Sequence, residues 1–150
     1  MDAIKKATIL ASQGKGDNLV AQLRGGNVIM GHTQFLPGYC ILLPKHVTPT
    51  LNDLDLKERV AYLKDMSIVG DALLHCTQAY RINYEILGNT SNYLHAHIFP
   101  RYKKEPLIRK KLPVWLYSKK YWLEPKYWFN PKRDDQLKNK LTNYLKRVSQ

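Results

Sequence analysis

Cysteine, acidic residues and long apolar runs are all scarce in this chain, and each scarcity excludes something. Two cysteines, Cys40 and Cys76, frame neither a disulfide scaffold nor a zinc knuckle, so a reducing, cytoplasmic setting is expected. No apolar run reaches the length that spans a bilayer, and the opening MDAIKKATILASQGKGD lacks the long apolar centre of a secretory leader. No membrane partner is therefore expected. Asp and Glu number 12 against 24 Lys and Arg, a formal net charge of +12. Such a field attracts polyanions, whether nucleic acid, phosphorylated metabolites or acidic lipid. A solvated lysine-rich surface would give the same count.

What is present reads as one globular domain over residues 1–150, with 44% apolar residues and no repeat or long linker. Asp2 to Ser12 predicts a short amphipathic helix. NLVAQLR and NVIMGHT flank Gly25-Gly26, a short-hairpin signal, and YCILLP after Pro37-Gly38 reads as a buried strand. Beyond Pro49, Val60, Leu63, Val69, Leu73 and Cys76 recur at the spacing of one helix face. RINYEIL (Arg81 to Leu87) and YLHAHIF (Tyr93 to Phe99) read as two further strands around a small polar loop, Gly88 to Asn92. A last helix is predicted from about Asp134, with Leu137, Leu141, Leu145 and Val148 on one side. The fold class is α+β: an antiparallel sheet with one long helix packed on it, then an irregular aromatic and basic segment ending in a helix.

YLHAHIF carries the chemistry. Alternation turns Leu94, Ala96 and Ile98 to one face and Tyr93, His95, His97 and Phe99 to the other, so two imidazoles emerge side by side. From the residues alone, three readings compete. The histidines are incidental; or they are two ligands of a metal, for which no nearby cluster supplies a third; or one is a nucleophile toward phosphorus and the other steadies charge. The polar loop before the strand, rich in backbone N–H groups, suits phosphate oxygens and favours the third. Arg101 follows the strand, where it either reaches phosphate or pairs with an acid. His46 reads as a loop residue, His75 as a residue of the long helix, and His32 as a neighbour of any base pocket.

INYEILGNTSNYLHAHIFPRY resembles the histidine triad proteins, whose signature is His-φ-His-φ-His-φ-φ with φ apolar. FLPGYCILLPKHV is similar to their Pro-Gly-His strand, and the likeness runs in matching order from about Asn18 to Tyr102. That span is the expected core, with an extension over about 103–150. The resemblance implies that His95 is the nucleophile of a nucleotidyl-histidine intermediate and that His97 contacts the phosphate under attack. It places Asn83 and Thr90 on the phosphates, and Asn89 where the family often has Gln. Two positions depart: Tyr93 stands for the first histidine and Tyr39 for the histidine of the Pro-Gly-His strand. In the family these lie close together behind the nucleophile, so Tyr39 and Tyr93 are expected to stack or share a hydrogen bond. The chain is similar to a branch of small bacterial members that lacks the leading histidine and is diadenosine polyphosphate hydrolase-like.

What the resemblance implies is hydrolysis of dinucleoside polyphosphates or nucleoside phosphoramidates with release of a nucleoside monophosphate, by a homodimer. It implies no metal site and no cofactor, Mg²⁺ entering only with a polyphosphate substrate. Transfer of the nucleotidyl group to phosphate or a sugar phosphate is an alternative; related transferases have proline where Ala96 stands. The other alternative is a nucleotide- or RNA-binding protein without turnover. VWLYSKKYWLEPKYWFNPKR interleaves aromatic and basic residues, but no RNA-binding signature accompanies it. An arm packed across the sheet or against a partner subunit is the preferred reading, with its lysines helping to hold a polyphosphate.

Overall fold

The structure, a computed structural model, describes residues 1–149; Gln150, the last residue of the expected 1–150 domain, lies outside them. Asp2 opens α1 (Ala3–Ser12) by accepting from the backbone N–H of Ile4 at 2.8 Å and of Lys5 at 3.1 Å, donors that a first helical turn leaves without partners. β1 (Leu19–Gln22) and β2 (Asn27–Met30) form the predicted hairpin. Its Gly25 supplies space: a Cβ there would lie 2.2 Å from the Ala61 carbonyl oxygen. The turn presses on the backbone of α2 (Leu56–Cys76), and Asp65 of that helix accepts from the Gly25 N–H at 2.5 Å.

β3 (Cys40–Leu43), β4 (Arg81–Glu85) and β5 (Ala96–Arg101) complete a five-stranded antiparallel sheet in the order β1-β2-β3-β5-β4. β5 begins later than the alternation predicts. The Leu94 N–H donates to the Thr48 carbonyl, and the Tyr93 carbonyl is bonded by the His95 ring, so both leave the ladder. β2, β3 and β5 are buried on both faces, which is why β3 reads as a continuous apolar run, while in β5 the buried positions include His97 and Arg101.

One face carries Val28, Met30, Leu42, Ala96 and Ile98 against Tyr62, Val69 and Leu73 of α2. Leu141 and Leu145 of α5 (Pro131–Val148) fill the same layer, so two helices, where one was expected, lie on this face. An apolar stripe announces that a helix is buried, never against what. Within α2, Val60 departs from expectation and is 59% exposed. Nine residues at 100° each put it half a turn round from Val69.

The other face carries Ile29, Ile41 and Phe99 against Ala11 of α1 and against Val114 and Tyr117 of the C-terminal segment. That segment, irregular by prediction, is a chain of short helical pieces. These are α3 (Leu107–Lys110), a 3₁₀ turn at Val114–Leu116, α4 (Lys120–Leu123) and a 3₁₀ turn at Pro125–Tyr127. It folds back on its own sheet. Among the described residues no helix is long and apolar enough to cross a membrane.

Candidate active site

The side chains of His95 and His97 emerge together, ring centroids 4.7 Å apart and nearly perpendicular. His95 Nδ1 lies 2.7 Å from the Tyr93 carbonyl oxygen. A carbonyl only accepts, so Nδ1 carries the hydrogen and Nε2 keeps its lone pair. The main chain thus sets the tautomer a nucleophilic imidazole requires.

His97 is held by a tyrosine. Its Nδ1 is 2.6 Å from the Tyr39 hydroxyl, and Tyr39 itself is buried, stacked on Phe99 at 4.3 Å. Burial pushes the Tyr39 hydroxyl far up, so it stays protonated. Burial first, and then the neighbouring His95, push the His97 imidazole down to about 3. At physiological pH a protonated hydroxyl and a neutral ring can share their hydrogen either way. Among the described residues, however, His97 Nδ1 is the one hydrogen-bond partner of the buried hydroxyl, so donation to the Nδ1 lone pair is the arrangement that leaves no buried O–H unmatched. The hydrogen of His97 is left on Nε2, where it can be given to an oxyanion. Gly31 makes this possible: a Cβ there would lie 2.2 Å from Tyr39 Cδ2, and the Gly31 N–H donates to the Tyr39 carbonyl at 2.8 Å.

This corrects the expected tyrosine pair. Tyr39 bonds His97 and not Tyr93; Tyr93 contributes its carbonyl to His95, while its half-buried ring lies under the Lys5 ammonium at 5.8 Å. The two ring positions diverge because Tyr39 immediately precedes β3, the strand paired with β5, whereas Tyr93 sits next to α1.

The loop before β5 turns at Gly88, with φ +71°, and exposes Asn89 and Thr90. Ser91 donates to the Asp2 carboxylate at 2.9 Å, tying the loop to the start of α1. The Lys5 N–H chiefly, helped by the Ser91 hydroxyl, the Ile4 N–H and the charge of His95, holds that carboxyl below its usual value against desolvation. Two clefts flank the pair. One, about 460 Å³, is walled by Pro49, Leu51, Ile86, Leu87 and His95. The other, about 370 Å³, lies between Ile4 and Ala7 of α1 and Ile29 and Ile41 of the sheet. Its rim is His32 against Trp128, centroids 4.8 Å apart. Ile41 is the cross-strand partner of His97, so this second cleft opens on the histidine face.

Arg101 and Asn83 are brought together, but with each other. All five guanidinium hydrogens of Arg101 are taken: Glu105 accepts from Nε and Nη2, Asn83 Oδ1 and the Leu112 carbonyl accept from Nη1, and the Arg109 carbonyl accepts from Nη2. Arg101 is 2% exposed. The expected phosphate role of Arg101 is therefore replaced by a structural one, since no donor is left over. Burial would raise the Glu105 carboxyl, but hydrogen bonds from Arg101, Tyr117 and the Tyr102 N–H outweigh it and lower it.

Sequence reasoning passed over Trp115. Its ring meets His97 edge-on at 4.8 Å, stacks on Trp122 at 4.9 Å, and gives its indole N–H to Glu85. The aromatic run was visible, but nothing in it singled out the ring that would cross to β5. Among the described residues no three His, Cys, Asp or Glu side chains are grouped to hold a metal ion.

No family model and no curated protein matches the sequence. Solved structures do. A histidine triad protein of Marinobacter aquaeolei superposes with a TM-score of 0.71 at 20% identity, over 87% of this chain and 91% of that one. A hypothetical histidine triad nucleotide-binding protein of Sulfolobus tokodaii gives 0.70 at 13% identity, over 95% and 93%. The diadenosine triphosphate hydrolase of Plasmodium falciparum, in complex with cyclomarin A, gives 0.58 at 15% identity, over 91% and 81%. The chain has the fold of the histidine triad proteins.

Proposed function

We propose that this protein hydrolyses nucleoside phosphate derivatives, either dinucleoside polyphosphates or nucleoside phosphoramidates, through a nucleotidyl-His95 intermediate. The observation that carries the reading is the pair of opposed tautomers. His95 is fixed with a free Nε2 lone pair, and His97 with an Nε2 hydrogen.

Nε2 of His95 attacks phosphorus in line. A P–N bond forms, the bond to the leaving oxygen or nitrogen breaks, and the leaving group departs with its electron pair and takes up a proton. His97 Nε2–H and backbone N–H groups of the Gly88 to Asn92 loop stabilise charge on the non-bridging oxygens, with Asn89 and Thr90 exposed beside them. Water then attacks the same phosphorus, breaks the P–N bond and frees the nucleoside monophosphate and His95. The cleft of Ile4, Ile29, Ile41 and His32 is the seat for the base, apolar with an aromatic rim. No step needs a metal, and Mg²⁺ enters as the companion of a polyphosphate.

Product release from diadenosine polyphosphates and from adenosine phosphoramidate, wild type against His95→Ala, tests the reading. We expect AMP release to fall by at least about 10³-fold in the variant. Mass spectrometry of trapped wild type should find an adenylyl adduct on His95. Nucleotide binding without turnover on either substrate would sink it and return the protein to the nucleotide- or RNA-binding class. Turnover only with added phosphate would make it a nucleotidyl transferase. A homodimer belongs to the same reading. Leu56 and Val60, exposed one turn apart on α2, offer it apolar area, and sedimentation velocity checks it.

A further inference from the structure

β4 lies at the edge of the sheet, and alternation sends Arg81, Asn83 and Glu85 to the face that carries Arg101, Phe99 and His97 on β5. Beside this row the chain returns as Lys110, Lys111, Leu112 and Pro113, and between the two runs a cleft of about 470 Å³. Its charges are unbalanced. Arg81, Lys110 and Lys111 line it, and among the described residues none of the three pairs with a carboxylate. The fourth cation, Arg101, is neutralised by Glu105. Among the described residues of the wall the one acid, Glu85, keeps its charge while accepting the indole N–H of Trp115, so the wall carries an excess of two positive charges. Arg81 and Lys111 are exposed and Lys110 half-buried, so the excess is solvated and screened, and it makes the cleft attractive to an anion.

The cleft reaches to within one cross-strand pair of the reactive histidines. Glu85 pairs with His97 at one end of the row, and Arg81 pairs with Arg101 at the other. Four residues of strand separate the ends, about 13 Å, which is the reach of several linked phosphates and far more than one. Trp115 stands where the row meets His97, its edge on the imidazole, and remains 39% exposed.

We propose that this cationic cleft is the seat of the leaving group, and that the leaving group it takes is a polyphosphate chain. The proposal rests on the nucleotidyl-transfer reading and selects between its two substrate classes. Phosphorus under attack sits at His95 and His97, the next phosphates pass Trp115, and Arg81, Lys110 and Lys111 hold those beyond. A phosphoramidate, whose leaving amine carries no such anion, would leave the cleft unused. Arg101 and Glu105 act as positioning residues, since Arg101 bonds the Leu112 carbonyl that forms one wall.

The test compares wild type with Lys110→Ala/Lys111→Ala and with Arg81→Ala, after circular dichroism has confirmed that each folds. Two quantities are read. One is the ratio of kcat/KM for diadenosine tetraphosphate to that for adenosine phosphoramidate, two substrates with the same adenylyl group. The other is the Kd of inorganic tripolyphosphate, followed by tryptophan fluorescence and by calorimetry at low and high salt. Charge-assisted contacts of this kind predict that the ratio falls about tenfold or more and that tripolyphosphate binding weakens by a similar factor. Equal losses on both substrates, or a tripolyphosphate affinity untouched by the substitutions, would overturn the seat. If wild type turns over neither substrate, the tripolyphosphate arm still decides. Binding lost in the variants upholds the cleft while the hydrolytic reading fails, and no binding at all removes both.

Discussion

Tyr39 and His97 show how one hydroxyl can do the work of an imidazole. A histidine at position 39 would have offered either hydrogen or lone pair; a tyrosine hydroxyl can do both as well, but buried with His97 Nδ1 as its partner it satisfies its own hydrogen by giving it. Tyr39→Phe removes that hydrogen and leaves His97 Nδ1 buried without a partner. We expect a stability loss of about 1–3 kcal/mol, the appearance of the other His97 tautomer in ¹⁵N NMR spectra, and a kcat lower by roughly 10²-fold. The same residue predicts a pH effect on folding. Free histidine titrates near 6.5, and folded His97 near 3. Between those values the unfolded chain holds the extra proton, so stability falls as pH drops from about 6.5 toward 3 and is unaffected above. The slope belonging to this group is up to about 1.4 kcal/mol per pH unit. Chemical denaturation of His97→Gln at a series of pH values should show a curve shallower by that amount.

Among the elements, the contact of hairpin with helix is the most demanding. Gly25 rests on the backbone of α2, and Asp65 crosses from the helix to bond its N–H. Backbone on both sides leaves nothing that can yield. Gly25→Ala should therefore cost more than about 2 kcal/mol, read as a lower denaturation midpoint with the m-value unchanged. Gly70, by contrast, faces the Tyr84 hydroxyl, the far end of a side chain that can swing away, and Gly70→Ala should cost far less. Burial raises the Asp65 carboxyl, which marks this contact as built from a costly group and so dependent on its partner.

At the scale of the whole molecule, one buried ion pair fastens the C-terminal segment to the sheet. Arg101 and Glu105 are bonded at 3.1 Å with their side chains 3% and 4% exposed, and Tyr117 adds its hydroxyl to Glu105 at 2.6 Å. Glu105→Ala would leave a buried guanidinium without its counter-charge, a change of about 3–5 kcal/mol. Because Trp115 lies in the segment so fastened, we expect its fluorescence to shift to the red in the same variant before global unfolding. The net charge of +12 acts at this scale as well. It speeds the encounter with any polyphosphate in a salt-dependent way and says nothing of which cleft receives it.

Periodicity and turn signals are local properties, and they were legible. The alternation of YLHAHIF put both imidazoles on one face, the amphipathic spacing of Asp2 to Ser12 announced α1, and Gly25-Gly26 announced the hairpin; each depends on neighbours within a few residues. The likeness in fold was legible too, and it holds at identities of 20% or below. What depended on residues distant in sequence was not. Tyr39 is 58 positions from His97 and chose it over Tyr93. Arg101 turned inward to Asn83, 18 positions away, and Trp115 crossed to meet Glu85, 30 positions away. Nothing in a local pattern specifies such partners. Only the order in which strands pair, and the space left between a sheet and the chain folded back upon it, decides which side chains meet.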